Sequence, residues 1–115
     1  MSTQDNWITV CSEKDLVANS GVCALLNNQQ IALFKIKSAN DEQVYAVNNW
    51  DPIGKANVLY RGLLGSVADT KVIISPLYKQ RYCLGSGQCL DDDAIKLMVY
   101  PVRIEQGQVQ LQWVD

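Results

Sequence analysis

The sequence has no histidine in 115 residues. This removes the commonest general base and the usual nitrogen ligand of zinc, haem and iron. Ser-His-Asp and Cys-His catalysis are excluded with it. Neither sign of charge dominates: ten Lys and Arg stand against twelve Asp and Glu, net −2. Non-specific nucleic-acid binding needs a strong positive field, so no nucleic-acid partner is expected. Long apolar runs are missing too. Nothing approaches the ~20 residues of a membrane span, and no membrane association is expected. Met1 to Ile8 lacks the basic and apolar regions of a signal peptide, so the cytoplasm is the expected location. Seven glycines and three prolines are too few for a linker composition. The length suits one domain, 1–115.

The four cysteines, Cys11, Cys23, Cys83 and Cys89, contain no C-x-x-C pair. The paired spacing of a thiolate metal site is absent, and reduced, mostly buried cysteines are expected. Cys83 and Cys89 flank a glycine turn on two strands of one hairpin, which places them within reach of each other. Asp91-Asp92-Asp93 lacks the further ligands and the late Glu of a calcium loop and reads as a solvated connection. Gly85-Ser86-Gly87 is a turn signal, because no helix pattern follows it.

What is present is short alternating segments with turn formers between them. A strand is predicted at Trp7–Cys11, then one turn of helix around Asp15 and Leu16. Val22–Leu26 and Ile31–Lys37 form a hairpin about the polar Asn27–Gln30. In the return strand Ile31, Leu33 and Lys35 share one face; Ala32, Phe34 and Ile36 share the other, with Phe34 and Ile36 pointing inward. A turn at Ser38–Glu42 leads to Val44–Val47. Asn48–Gly54 is rich in turn formers. Val58–Leu64 is too short for a helix and is interrupted by Gly62 and Gly65. A strand returns at Lys71–Ile74 and ends at Pro76. A hairpin follows at Arg81–Leu84 and Gln88–Leu90, and an alternating stretch at Lys96–Val114 turns at Gln106-Gly107 and puts Val109, Leu111 and Trp113 on one face. The pattern predicts an all-β sandwich or barrel of eight to ten short strands.

Between Val44 and Leu90 the residues carry a family likeness. The stretches are Val44-Tyr45-Ala46-Val47-Asn48-Asn49-Trp50-Asp51-Pro52, Val58-Leu59-Tyr60-Arg61-Gly62, Ile74-Ser75-Pro76-Leu77-Tyr78-Lys79-Gln80-Arg81-Tyr82 and Leu84-Gly85-Ser86-Gly87-Gln88-Cys89-Leu90. They resemble the small subunits of assimilatory NAD(P)H-dependent nitrite reductases, which are similar in turn to Rieske ferredoxin domains. The resemblance implies a Rieske-like small β-sandwich with an inserted cluster-binding-like subdomain, here residues 48–90. A Rieske domain holds its [2Fe-2S] cluster on Cys-x-His and Cys-x-x-His loops. Here Ser75 stands at the second-loop cysteine position and Tyr78 at the histidine position. The first-loop positions fall within Asp51–Gly54, none of them Cys or His. The resemblance therefore implies no cofactor and no metal in this chain. It implies a large nitrite reductase subunit as partner, carrying FAD, sirohaem and an iron-sulfur cluster. That partner would reduce nitrite to ammonium. The alternative is a metal-free Rieske-like interaction module of another oxidoreductase or oxygenase. An independent ferredoxin is disfavoured by the missing histidines.

No catalytic residues emerge. The candidate partner interface is Trp50, Asp51, Tyr60, Arg61, Leu77, Tyr78, Lys79 and Arg81. Lys79 and Arg81, two apart in a strand, would share a side and, with Arg61, make either three solvated charges, a basic docking patch or an anion site. Tyr78 reads as a plug filling the vacated ligand space, its hydroxyl bonded to Ser75 or Asp51, or as an interface residue. Trp50 and Tyr60 are a protein–protein hot spot if exposed and core if buried. Leu77 and Ile53 are the apolar residues whose exposure decides the same question.

Overall fold

The computed structural model describes residues 6–113. The expectations for Met1–Asp5 and for Val114 lie outside them. Twelve strands are found among the described residues: β1 (Trp7–Ser12), β2 (Ser20–Leu26), β3 (Gln29–Lys37), β4 (Glu42–Asn48), β5 (Trp50–Asp51), β6 (Ala56–Asn57), β7 (Leu63–Val67), β8 (Thr70–Ile74), β9 (Arg81–Cys83), β10 (Val99–Tyr100), β11 (Val102–Glu105) and β12 (Gln108–Gln112). Single 3-10 turns lie at Glu13–Asp15 and Leu59–Arg61. The first starts from a reciprocal cap, in which the Lys14 N–H donates to Ser12 Oγ at 3.2 Å and the Ser12 N–H to Asp15 Oδ2 at 3.0 Å.

The hairpins follow their turn residues. Asn27 and Asn28 both take positive φ, 50° and 64°, and join β2 to β3 with Leu26 opposite Gln29. Two positive φ values match the right-handed twist of paired strands, and asparagine tolerates them. Gln106 and Gly107 do the same between β11 and β12. A four-stranded sheet in the order β10-β4-β3-β2 forms the middle of the molecule. The sheet β1-β12-β11 covers one face and β7-β8-β9 the other.

Residues Ile31 to Phe34 are all fully buried. Ile31 and Leu33 pack with Val109 and Leu111 of β12. Ala32 and Phe34, pointing the opposite way, pack with Ile73, Tyr82 and Leu84. The expected face assignment of β3 holds, but both faces are core, because a sheet lies on each side. Lys35 avoids burial of its charge by pairing with Glu42 at 3.5 Å. The all-β class stands. The count exceeds eight to ten because β5, β6 and β10 are two residues long and β7 runs through Gly65. Leu63–Val67 was obscured by that glycine, although β8 pairs along its whole length.

Two cysteine expectations need correction. Only Cys89 is buried; Cys11 and Cys83 are half-buried and Cys23 is exposed. Cys89 lies directly opposite Tyr82, and the two share a face. Cys83, next in the strand, points the other way, so Cys83 and Cys89 do not approach.

Gly87 closes the turn behind β9 at φ +84°, with space for a Cβ already taken 2.2 Å away by the Leu97 carbonyl oxygen. Gly107 has a similar φ, +78°, and nothing within 4 Å. The pair separates backbone strain from lost space. Gly107→Ala is expected to cost about 1 kcal/mol. Gly87→Ala should cost about 1–3 kcal/mol more, because backbone must move. Thermal unfolding of the two variants checks this; at about 4 °C per kcal/mol, equal melting points would contradict it.

Candidate functional site

Two loops meet at one end of the molecule. The first runs from β5 through residues 52–55 to β6, and the second spans residues 75–80 between β8 and β9. Asp51 lies where they meet, and its side chain is completely buried. It receives hydrogen bonds from both loops. Within its own loop the Ile53 N–H donates to Oδ1 at 3.0 Å. From the second loop Ser75 Oγ donates to Oδ2 at 2.5 Å, and Gln80 Nε2 reaches both carboxylate oxygens at 2.8 Å. From β9 the Tyr82 hydroxyl donates to Oδ1 at 2.8 Å. Burial alone would raise the Asp51 pKa. The bonds from Ser75, Tyr82 and the Gly54 and Ile53 N–H groups outweigh it and hold the carboxyl below its ordinary value. Burial first, and then the Asp51 charge, pushes the Tyr82 phenol well up, so it stays a donor.

Backbone bonds close each loop. The Lys55 N–H donates to the Asp51 carbonyl at 2.6 Å, and the Ser75 N–H to the Gln80 carbonyl at 2.9 Å. Gly54 makes room between the loops: a Cβ there would lie 2.4 Å from Leu77 Cδ1. At the base, fully buried Asn49 donates to Gln30 Oε1 at 3.1 Å and accepts the Tyr60 N–H at 2.8 Å. It ties the first loop to the 3-10 turn that carries Tyr60 and Arg61.

The sequence-derived candidates separate into distinct groups. Trp50 and Leu77 are each 44% exposed and Tyr78 is 70% exposed. Ile53 is partly buried against the core. Trp50 also walls a cleft of about 470 Å³ with Asn57, Lys96 and Met98. Tyr60 is half-buried, with the Arg61 guanidinium stacked over its ring at 5.4 Å and bonded to its hydroxyl at 2.9 Å. Lys79 is exposed.

Four expectations are overturned. Tyr78 is no plug, because it sits in the turn and faces outward; Tyr82 supplies the buried phenol instead. Asp51 offers no side chain to a partner, since its carboxylate is enclosed. Lys79 and Arg81 do not share a strand face: Lys79 is in the turn with φ +64°, and β9 begins only at Arg81. Arg81 is not a free charge. Its guanidinium holds Asp91 at 2.8 Å, and its backbone N–H donates to the same carboxylate at 2.7 Å. Ser75 was singled out as a partner of Tyr78 and bonds Asp51 instead; Gln80, Tyr82 and Asn49 are the residues that sequence reasoning did not assign to this network. The only signal for them was their place in the conspicuous motif stretches.

A family model described as "Rieske-like [2Fe-2S] domain" matches residues 6–112. The NADH nitrite reductase small subunit of Escherichia coli K12 is 37% identical over 106 residues, 92% of this chain and 96% of that protein. A segment of the nitrite reductase [NAD(P)H] large subunit of Klebsiella oxytoca is 40% identical over 108 residues, 94% of this chain but 11% of that protein. The solution structure of the nitrite reductase [NAD(P)H] small subunit from Erwinia carotovora superposes with a TM-score of 0.79 at 42% identity, covering 97% of this chain and 85% of that one.

The Asp51 network sets the pH limits of stability. A carboxyl with a depressed folded pKa stabilises above its unfolded value, 3.8, and that contribution is lost as pH falls through the lower folded value. The raised Tyr82 pKa has the opposite sense: its contribution is complete below the ordinary 10.0 and is lost as pH rises past it. Asp51→Asn should cost about 1.5–3 kcal/mol at pH 7 and progressively less towards pH 2, since charge-assisted hydrogen bonds are lost. Tyr82→Phe should flatten the alkaline limb. Urea midpoints between pH 2 and 11 test both; a constant Asp51→Asn deficit at all acid pH values would contradict the first.

Proposed function

Because this chain belongs to the Rieske-like [2Fe-2S] domain family, within its nitrite reductase small-subunit branch, we propose that it is the small subunit of a cytoplasmic NAD(P)H-dependent nitrite reductase. It acts by associating with the large subunit that reduces nitrite to ammonium. The observation that carries this is near full-length identity to a NADH nitrite reductase small subunit, 37% over 96% of that protein. The Klebsiella oxytoca match adds support: there a segment like this whole chain is part of one polypeptide named as the large subunit. Components joined covalently in one protein commonly associate when they are separate chains.

We infer further that this chain works without a cluster of its own. A Rieske centre takes two thiolates and two imidazoles. The chain has no imidazole, and the loop end offers Ser75, Tyr78 and an Asp51 carboxylate whose oxygens are already occupied by donors. These residues do not fit the group. FAD, sirohaem and iron-sulfur chemistry are assigned to the large subunit.

The docking surface is the loop end. Trp50, Leu77 and Tyr78 offer apolar area, with Lys79, which has no ion-pair partner among the described residues, beside Tyr78 and Arg61 stacked on Tyr60. Aromatic residues beside a cation are the composition of an interface hot spot.

The test is nitrite-dependent NADH and NADPH oxidation by the large subunit with increasing amounts of this chain. Activity should rise and saturate at a fixed stoichiometry; no effect and no co-elution would overturn the reading. Tyr78→Ala should weaken association by about tenfold or more. Lys79→Glu should weaken it more at low salt than at high salt. Anaerobically purified chain should contain iron and acid-labile sulfide well below one equivalent.

A further inference from the structure

Asp51 is a buried carboxylate with no cation in contact: the ion pairs of the described residues are Lys35–Glu42 and Arg81–Asp91. Its charge is held entirely by dipolar donors. Replacing a buried, fully bonded charge by apolar packing of the same volume is often neutral for stability, so stability alone does not call for such an arrangement. What it adds is direction. Each donor has to point at one place, and here the donors come from separate segments.

The network also carries a cost that stability alone would remove. Gln80 turns its amide nitrogen to both oxygens of Asp51, and its own Oε1 is left buried without a partner. An unpaired buried acceptor costs about 1–3 kcal/mol. The bonds continue outward to the surface. Ser75 Oγ, which donates to Asp51, accepts the Leu77 N–H at 3.3 Å, and the Ser75 carbonyl accepts the Lys79 N–H at 3.2 Å. Asp51 is thus linked through one residue, Ser75, to the backbone on either side of Tyr78. In the first loop its carboxylate takes the Ile53 N–H directly, and its backbone carbonyl takes the Lys55 N–H.

We propose that Asp51 is the positioning residue of the docking surface: its carboxylate ties the two loops together where cluster-bearing Rieske domains tie theirs through metal, and so holds Leu77 and Tyr78 in the arrangement the large subunit engages. This rests on the loop end being the docking surface. Asp51 touches no partner; it acts through Ser75 and the backbone N–H groups.

The experiment uses the full chain and the large subunit. Asp51→Asn keeps the volume but replaces one carboxylate oxygen by an amide NH₂, which puts a donor opposite Gln80 Nε2 and either the Ser75 hydroxyl or the Tyr82 hydroxyl and Ile53 N–H. It should weaken association at least tenfold in the activity titration. Amide exchange in the free chain should quicken about tenfold or more at residues 53–55 and 77–79, with β3 unchanged. Val109→Ala, in the core beyond the central sheet, should lower the melting point while leaving association and loop exchange as they were. If Asp51→Asn does not fold, Ser75→Ala takes its place, with faster exchange expected at 77 and weaker association. Unchanged loop exchange, or unchanged affinity where the unmodified chain binds, would overturn the proposal alone. Failure of the unmodified chain to bind would overturn the functional reading and the docking role with it.

Discussion

A charge buried without a counter-ion can persist only if enough donors surround it and keep their directions. At Asp51 those donors come from the first loop, the second loop and strand β9. No one segment supplies enough of them, so none of the three can take its place without the others. Tyr82 shows how the constraint reaches the rest of the molecule. Its ring is fully buried among Phe34, Ile73 and Leu84, while its hydroxyl meets the carboxylate. The same side chain is core at one end and site at the other, and the loop geometry is thereby referred to the central sheet.

The middle strand of that sheet has nothing to offer a partner. β3 is buried on both faces, one under β12 and one under β8 and β9, so its apolar residues are consumed in folding. The loop end is different because turns cannot bury every apolar side chain they carry. Leu77 lies partly over the space left by Gly54, and Tyr78 next to it projects into solvent. Trp50 is on a two-residue strand with a cleft at its side. An apolar surface placed on a rigid scaffold costs a partner less ordering entropy than one on mobile loops. The buried network below it ties the two loops to each other and to β9.

The hairpins were legible because alternation and turn chemistry agree there: β2–β3 about Asn27-Asn28 and β11–β12 about Gln106-Gly107. β7 was not, because Gly62 and Gly65 remove the side chains from which a strand is read. Choosing between Tyr78 and Tyr82 as the inward phenol needed the point at which the chain resumes pairing. The ladder resumes at Arg81, which leaves Tyr78 and Lys79 in the turn and directs Tyr82, to which the sequence reading gave no such role, inward. Asp51 was singled out for its position in a loop of former ligands. Its burial depended on Ser75, Gln80 and Tyr82 arriving from 24 to 31 residues away, and no local pattern encodes such a meeting.

The charges near the loop end show the same dependence on long-range pairing. Lys79, Arg61 and Arg81 look alike in the sequence as a basic group close to an apolar one. In the fold they differ in what they are free to do. Arg81 is spent on Asp91, whose carboxylate also takes the Arg81 backbone N–H, so this pair fastens the start of β9 and leaves little field outside. Arg61 lies on the Tyr60 ring and donates its Nε–H to the same residue's hydroxyl. Lys79 extends from the turn and has no ion-pair partner among the described residues. On the proposed reading, recognition at this surface is a matter of apolar shape first, with the exposed Lys79 and the stacked Arg61 guanidinium to set orientation. Such a surface gains most of its affinity from a few central aromatic contacts and uses charge mainly to guide approach.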